Sequence, residues 1–468
     1  MLERGRRLWR GPGGVGEVVS IAYPLILSQM SLTLQVFVDR LFLTWYSTEA
    51  VAAAVTALLV TWSVVGLCIN TGEYVTTFIA QYYGAGRPRR IGAALWQGIY
   101  FSLLAGIVVA TLRPLAGPLF ALAGHAPILQ EYEAAYARIL LLGAAPIVLM
   151  ATLPSFFAGR GRTMPILLVQ LLATALNALL FGHGGFPRGG VQGAALATVT
   201  SQAFGAAVYL GLILRGAHRR QFGTLAGWRL EPALFARLLR YGLPAGLQFS
   251  IEIAAFAAFM VIVGRLGTAP LAATGIAFNL NMIVFMPFLG IGIAVSSLVG
   301  RYLGAERPYS AERSAWSAFG IGVVYLGLCS ALYLFAPRLL LAPYAAGADP
   351  AAFAEVGRLS VGLLRFVAVY SLFDMMSVIF AAALKGAGDT TYPLLATLAL
   401  SWAVMVVPSY VLCAHFGAGL YAAWSTASAY VLLVGLLMLR RFRSGRWKSL
   451  RVIEPPEAVF EDGAAEPA

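Results

Sequence analysis

Long apolar runs dominate the hydrophobic pattern of this 468-residue sequence. Twelve of them hold about 20 to 30 residues each, and short polar segments rich in Gly, Pro or Arg separate them. An α-helix rises about 1.5 Å per residue, so about 20 residues cross a hydrocarbon layer of roughly 30 Å. The pattern therefore predicts an all-α integral membrane protein with twelve transmembrane helices. The predicted spans are residues 18–43, 50–80, 92–118, 134–158, 164–183, 190–214, 238–263, 269–299, 314–341, 359–384, 390–415 and 418–439.

Composition supports this class and excludes soluble ones. The chain is 60% hydrophobic and 11% charged, and its mean hydropathy is +0.79. The net charge of +13 is typical of basic loops beside a membrane and does not require nucleic acid as a partner. The three cysteines lie far apart in apolar runs, without metal-ligand spacing. We therefore expect the lipid bilayer as a partner and no nucleic acid.

The distribution of basic residues predicts the orientation. If the N-terminus lies inside, 25 of the 33 Lys and Arg residues fall in the segments on that same side. Cytoplasmic loops carry such an excess of positive charge. We therefore expect both termini in the cytoplasm.

An internal repeat divides the sequence into two halves. A shift of 220 residues maps Gln81–Pro88 (QYYGAGRP) onto Arg301–Pro308 (RYLGAERP) and Pro24 onto Pro244. Each half holds six spans, so both copies enter the membrane from the same side. Two parallel-repeat six-helix bundles around a central cleft are a recurring plan of secondary transporters.

This repeat sets the expected domain organisation. A cytoplasmic N-terminal segment precedes the first bundle, a basic cytoplasmic linker joins the bundles, and an acidic Pro/Ala-rich tail of disordered composition follows. In that order the ranges are residues 1–17, 18–214, 215–237, 238–440 and 441–468.

Four of the twenty carboxylates fall inside predicted spans, namely Asp39, Glu73, Glu252 and Asp374. Glu252 and Asp374 lie at similar mid-depth in the second half, one on the seventh span and the other on the tenth. Two close carboxylates in a low dielectric cannot both stay ionised without a counter-charge, so one takes up a proton or a cation binds. The alternative is a structural role, with each carboxylate hydrogen-bonded to neighbouring helices.

The other two carboxylates have different expectations. Asp39 lies in the first span, with Gln35 one turn earlier on the same face, and an interfacial Asp balanced by Arg40 is the alternative reading. Glu73 lies closer to the inner end of the second span, and we expect a structural or gating role for it.

Several amide, aromatic and thioether side chains lie near the carboxylate spans. Most are expected to pack against helices or lipid, but some are candidates to line a cavity for flat apolar cations. These cavity candidates are Gln35, Asn177, Gln248, Phe256, Phe278, Met282, Met286 and Met375.

No motif indicates an enzyme. GAGRP and GAERP lack the Walker pattern and are typical of tight turns. The sequence also lacks a nucleophile and base pair of the kind that hydrolases use. We therefore expect no catalytic residues and no cofactor.

Six stretches together resemble the multidrug and toxic compound extrusion (MATE) transporters, over residues 15–440. The intramembrane Glu and Asp of the second half are most similar to the NorM-type branch. The stretches are YPLILSQ with FVD in the first span, the QYYGAGRP and RYLGAERP turns, GVQGAALAT in the sixth span, LPAGLQFSIE in the seventh, and FD followed by KGAGDTTYP in the tenth.

The resemblance implies a V-shaped pair of bundles in a bacterial inner membrane that exports cationic drugs in exchange for Na+ or H+. Glu252 and Asp374 would then bind the coupling cation in the second half, as metal ligands if the ion is Na+, and Asp39 would serve in the first half. The sequence departs from the family near Asn177, where Ala173 and Phe181 replace the expected second polar residue. Each bundle pair can work alone, so we expect a monomer.

Two other functions are compatible with the general architecture. A flippase for lipid-linked oligosaccharides shares it but needs a more cationic cavity, and no Lys or Arg lies at the middle of a predicted span. A passive channel would need a repeated selectivity filter, which the sequence lacks.

Overall fold

The computed structural model describes residue 9 and residues 11–122, 124–183, 189–346 and 350–455. The described parts of the first half and of its connection to the second consist mainly of helices joined by short turns. Their α-helices are α1 (Val15–Tyr46), α2 (Thr48–Glu73), α3 (Val75–Gly84), α4 (Pro88–Ala110), α5 (Ala116–Ala121), α6 (Pro127–Leu142), α7 (Ala144–Thr152), α8 (Ser155–Ala158), α9 (Met164–His183), α10 (Gly190–Ile213) and α11 (Gly216–Phe222).

The second half repeats this plan with longer uninterrupted helices. Among the described residues, short 3₁₀ turns lie in the first half at Arg113–Leu115, in the linker at Ala226–Trp228 and after the last helix at Arg446–Ser449. A π-helical turn in the second half covers Ser401–Val406. The α-helices are α12 (Pro232–Gly264), α13 (Thr268–Gly304), α14 (Pro308–Phe335), α15 (Pro337–Ala345), α16 (Pro350–Ala387), α17 (Thr391–Leu400), α18 (Val407–Ala414) and α19 (Leu420–Arg443).

The helices agree with an integral membrane protein of the predicted class. Within the described ranges, ten helical stretches are long and apolar enough to cross a membrane. A pair bent by 54°, Pro127–Leu142 with Ala144–Ala158, provides an eleventh. The apolar helix α9 is shorter and coincides with the fifth predicted span, so the twelve predicted spans all correspond to helices.

The repeat is visible in the backbone of one turn. Gly86, between α3 and α4, has φ +68°, and its counterpart Glu306, between α13 and α14, has φ +57°. A left-handed residue ends a helix, and proline at the first helical position starts the next one. Pro88 and Pro308 occupy that position in α4 and α14. The same local chemistry therefore builds equivalent turns in both halves.

The two halves meet on the side of the molecule where α1 begins and α19 ends, here called the terminal face. Helix α13 packs against α1 and α3, and α12 packs against α2. At the crossing of α3 and α13, a Cβ on Gly84 would lie 1.9 Å from the Arg301 carbonyl oxygen, and one on Gly304 would lie 2.1 Å from that of Gln81. Both positions therefore need glycine, because the two backbones touch.

Hydrogen bonds between the halves are concentrated near this face. Of those recorded for the described residues, the one farthest from it joins the Ser250 hydroxyl to the Ser63 carbonyl at 3.1 Å. Nearer the face, the Tyr74 hydroxyl donates to the Lys385 carbonyl at 2.8 Å and the Ser297 hydroxyl to the Ala158 carbonyl at 2.5 Å. The halves are therefore closed together at the terminal face.

The inter-bundle linker packs against the first half. The Trp96 indole donates to the Thr224 carbonyl at 2.7 Å, and Arg90 makes two 2.9 Å hydrogen bonds to Glu231. The tail was expected to be disordered from residue 441, but its described part is packed. Val452 is buried, because its amide and side chain fill a space between the two halves. Residues 456–468 lie outside the described ranges.

We predict that Gly84→Ala loosens the closed terminal face. The added methyl group meets backbone, so the helices must move apart, at a cost of about 1–3 kcal/mol. A buried reporter cysteine in the seam, Thr77→Cys in a background without native cysteines, should then react faster with a maleimide. Thr77 is 1% exposed in the closed structure.

Gly211→Ala is the matched control, because Gly211 lies within α10 and an added Cβ meets nothing within 4 Å. It should leave the labelling rate unchanged. Equal rates for Gly84→Ala and the parent would contradict a backbone contact at this crossing.

Candidate functional site

A polar cluster in the second half is built around Glu252 on α12. The Gln248 amide, one turn earlier on the same helix, donates to Glu252 Oε1 at 3.0 Å and to Thr397 Oγ1 at 3.2 Å. Thr397 lies on α17, and its hydroxyl is 3.5 Å from the same carboxylate oxygen. Gln248 and Thr397 are buried and Glu252 is half-buried. The cluster therefore fixes one carboxylate oxygen and leaves the other available.

Asp374 on α16 belongs to the same cluster. It is half-buried and lies within electrostatic range of Glu252. Tyr370, one turn earlier, interacts with Asp374, and Tyr430 on α19 interacts with both carboxylates. Three helices thus bring two acidic and two phenolic side chains to one place, where a proton or cation can relieve the repulsion between the carboxylates.

Lys385 links this cluster to the first half. It lies in the last turn of α16 and within electrostatic range of both Glu252 and Glu73. Glu73 is the last residue of α2, and the next residue, Tyr74, donates a hydrogen bond to the Lys385 carbonyl. The Lys385 ammonium group therefore lies within electrostatic range of one carboxylate from each half, near the closed seam.

The first half has a separate polar site around Asp39. Thr198 on α10 lies 3.4 Å from Asp39 Oδ2, and the Asn177 amide on α9 donates to the Thr198 hydroxyl at 3.4 Å. Arg40 is exposed and forms no ion pair with Asp39, so the pairing of these neighbours that sequence left open is not present.

Buried oxygen atoms without partners surround Asp39. Asp39 Oδ1, Asn177 Oδ1 and Gln35 Oε1 have no hydrogen-bond partner in the described part of the chain. Buried polar groups are normally satisfied, so these oxygen atoms are available to bind a proton or an ion. Oxygen ligands of this kind suit a hard cation.

Three of the aromatic and methionine candidates have informative positions. Phe256 and Phe278 are half-buried and form an edge-to-face pair, with ring centroids 4.7 Å apart. Phe278 also stacks on Trp424, whose indole donates to Thr274. Met375 is fully buried, and a Cβ on Gly322 of α14 would lie 2.2 Å from its sulfur. Met375 therefore packs between helices α14 and α16.

The remaining cavity candidates differ in exposure. Met286 is half-buried, whereas Met282 is 46% exposed.

Sequence reasoning missed several members of these sites. Thr198 and Thr397 are neutral residues within apolar runs, and only helix packing brings them to a carboxylate. Lys385 was assigned to a loop, although it is one of only two lysines in the sequence and directly follows an apolar run. Its place directly after an apolar run was the sequence feature that could have indicated a lysine at the end of a membrane span.

The fold and these sites define a class. Two parallel-repeat helical halves, closed together at one face and carrying isolated carboxylates within their spans, are the architecture of a secondary membrane transporter.

Comparison with known proteins identifies the family. The family model described as MatE matches residues 24–181 and 244–411, one block in each half. The chain therefore belongs to the MatE family, whose curated members include multidrug resistance proteins.

Two relatives illustrate the similarity. The probable multidrug resistance protein NorM of Thermotoga maritima is 28% identical over 462 residues, covering 96% of each chain. The multidrug resistance protein NorM of Burkholderia vietnamiensis is 28% identical over 432 residues, covering 91% of this chain and 93% of its own. The similarity thus extends over nearly the whole protein, and the chain is a multi-pass membrane protein of a multidrug transporter family.

Solved structures share the fold. An outward-facing conformation of a multidrug resistance MATE family transporter superposes with a TM-score of 0.83 at 22% identity, covering 94% of this chain and 97% of its own. A transporter from Pyrococcus furiosus, described as having a binding pocket of reverse polarity that suggests a different function, gives the same values. The shared fold therefore does not determine the substrate.

We predict that Lys385→Met destabilises the folded protein by about 1–3 kcal/mol, because it leaves two carboxylates without their shared counter-charge. The melting temperature in detergent should fall at pH 8. Part of the loss should be recovered on acidification, because a protonated carboxyl group no longer needs the ammonium group.

Lys448→Met is the matched control. Lys448 lies 2.6 Å from Glu312 outside the spans, and both side chains are about 30% exposed. Such a pair contributes up to about 1 kcal/mol. If the two variants lost equal stability at pH 8, this would contradict the view that Lys385 stabilises the protein by interacting with a carboxylate from each half.

Proposed function

We propose that the protein is a secondary antiporter that exports organic cations in exchange for Na+ or H+ by alternating access. The observation that carries this proposal is that Glu252 and Asp374 lie within electrostatic range of each other in one helical bundle of a multidrug transporter family. A bound cation or proton relieves their repulsion, and so does a cationic substrate. The two ligands therefore compete for the same charge.

The second-half cluster is the proposed coupling site. The Gln248 amide holds one oxygen of Glu252, which leaves the other oxygen and the Asp374 carboxylate to receive the ion. If the ion is Na+, these two carboxylates are its charged ligands, and the Gln248 carbonyl oxygen, which has no partner, lies beside them. If it is H+, the carboxyl group that takes it up becomes neutral.

Lys385 gives the empty site an internal cation. Its ammonium group balances Glu252 when no ion is bound, and it interacts at the same time with Glu73 across the seam. Binding of an ion near Glu252 weakens the hold of Lys385 on that carboxylate. This supports a gating role for Glu73, in which ion occupancy is communicated to the contact between the halves.

The Asp39 site is proposed as a second cation or proton site. Its three unpartnered oxygens, on Gln35, Asp39 and Asn177, support this assignment. Thr198 supplies the hydroxyl group that the sequence around Asn177 does not.

The proposed substrates are flat organic cations. The acidic residues supply the opposite charge, and half-buried Phe256 and Phe278 offer ring faces that attract cations. Exposed or half-buried Met282 and Met286 add adaptable apolar surface.

We assign the protein to the bacterial inner membrane, with the terminal face and both termini in the cytoplasm. The basic residues gathered on that side support this orientation. The cleft then faces outward. One charge crossing 100 mV provides about 2.3 kcal/mol for the exchange, and one chain is proposed to act as a monomer.

We predict that Glu252→Gln and Asp374→Asn each reduce ethidium export from vesicles to about a tenth or less of the parent rate. Each change removes the charge for which ion and drug compete, and a tenfold loss corresponds to about 1.4 kcal/mol. Export is measured as dye flux under imposed Na+ and pH gradients.

Glu306→Gln is the control, since Glu306 is an exposed glutamate in the turn between α13 and α14. It should export ethidium at the parent rate. Full activity of both Glu252→Gln and Asp374→Asn would defeat the assignment of the coupling site.

We predict that the same assay separates the coupling ions and tests the first-half site. If Na+ is the ion, a Na+ gradient at constant pH drives export; if H+ is the ion, only the pH gradient does.

Asp39→Asn should reduce export while Lys448→Met does not. Dye flux driven by neither gradient would contradict antiport and favour a passive pathway.

A further inference from the structure

Two ionic junctions join the halves at the terminal face. In the first, Glu17, near the start of α1, pairs with Arg301 and accepts a hydrogen bond from the Tyr302 hydroxyl, both at the end of α13. The Gly13 amide donates to the Glu17 carboxylate at 2.8 Å and to the Tyr302 hydroxyl oxygen at 3.0 Å. A carboxylate of the first half thus binds a Tyr and an Arg of the second.

The second junction joins the end of α3 to the start of α12 through the tail. Glu454 accepts a 2.7 Å hydrogen bond from the Tyr82 hydroxyl and pairs with Arg237 at 2.7 Å and Arg90 at 3.2 Å. Its backbone carbonyl accepts from Arg87 at 3.1 Å. One tail carboxylate therefore holds groups from both halves.

Val452 completes this junction. Its amide donates to Gln81 Oε1 at 2.9 Å, and Gln81 Nε2 donates to the Gly386 carbonyl of the second half at 3.2 Å. A Cβ on Gly388 would lie 2.8 Å from the Val452 side chain. Val452 is 2% exposed, so the tail segment is seated between the halves.

The internal repeat explains why the tail is needed. The 220-residue shift maps Tyr82 onto Tyr302, and it maps Glu17 onto Arg237. The carboxylate of the first junction is therefore replaced by an Arg in the second. Arg237 cannot accept a hydrogen bond from Tyr82, and Glu454 lies between these two residues. The tail supplies the acidic group that the repeat lost.

We propose that residues Val452–Glu454 form a strap that holds the terminal face closed and must leave its seat before the halves can separate there. The strap bonds Gln81, Tyr82 and Arg90 of the first half and Arg237 of the second, so separation of the halves breaks one set of these contacts. This inference rests on the alternating-access part of the proposed function.

The Glu454 carboxylate is expected to stay ionised while the strap is seated. Partial burial raises its pKa, but hydrogen bonds from Tyr82 and Arg237 outweigh this effect and lower the pKa to about 2. A carboxylate with a lowered pKa keeps its stabilising contribution above its ordinary pKa and loses it only on acidification. The strap therefore stays charged at neutral pH, and its release comes from movement of the halves.

Distances between spin labels test the strap directly. We would label Arg89→Cys and Arg307→Cys, exposed positions on the two halves, after replacing the three native cysteines. Glu454→Gln, and truncation after Arg451, should each raise the long-distance population by roughly five- to tenfold relative to the parent, since hydrogen bonds to charged groups are lost from a partly exposed site. The measurement needs neither drug nor coupling ion.

Glu306→Gln removes the same charge elsewhere on this face and should leave the distance distribution unchanged. A parent-like distribution for Glu454→Gln would overturn the proposal, and so would an equal shift in Glu306→Gln, which would indicate a general charge effect.

A second variant tests the repeat argument. Arg237→Glu combined with Glu454→Gln places a carboxylate where Glu17 stands in the first junction, within reach of Tyr82 by the repeat. This double variant should restore the short-distance population. If the folded double variant kept the enlarged long-distance population, this would contradict the view that Glu454 replaces the carboxylate that Glu17 provides in the first junction. If the strap variants open the face while Glu252→Gln still exports ethidium, the transport proposal fails and the strap stands.

Discussion

The cost of placing a charged group among apolar helices governs this structure. Every carboxylate within the spans has to be neutralised, hydrogen-bonded or supplied with a cation. In the second half, the Gln248 amide donates to Glu252, and Lys385 and Asp374 both lie within electrostatic range of that carboxylate. In the first half, Asp39 retains an oxygen atom without a partner. Among the described residues, each half thus keeps a buried oxygen atom without a hydrogen-bond partner at its acidic site.

Close backbone contact is the second constraint on this structure. Gly84 and Gly304 let α3 and α13 touch, and the repeat places these residues in reciprocal positions. A contact of this kind is either made or broken, because packed interfaces do not deform continuously. The terminal face can therefore act as a two-state element. Lys385 lies close to it and is within electrostatic range of Glu73 on the other side of the seam.

The ionic junctions show how a duplicated fold departs from its symmetry. The first junction is made within the repeat by Glu17, whereas the second has Arg237 in the equivalent place and takes its carboxylate from Glu454. The tail is also where sequence reasoning was weakest, because a short acidic and proline-containing segment has the composition of a disordered chain. Its order comes from four basic and phenolic partners on helices distant in sequence, which composition does not reveal.

The sequence by itself determined the class, the number of spans, the repeat and the identity of the four intramembrane carboxylates. The length of each apolar run and the position of each charge are local properties of the chain, and they decide which segments are stable in a bilayer. Only the tertiary structure decided which groups meet those carboxylates. Helix packing places Thr397, Thr198 and Lys385 near these carboxylates, and it places Met375 in a helix interface. The sequence does not predict these directions, because an almost uniformly apolar helix has no hydrophobic periodicity that would show which face each side chain occupies. Closure of the terminal face and the seat of the tail likewise depend on contacts between segments hundreds of residues apart.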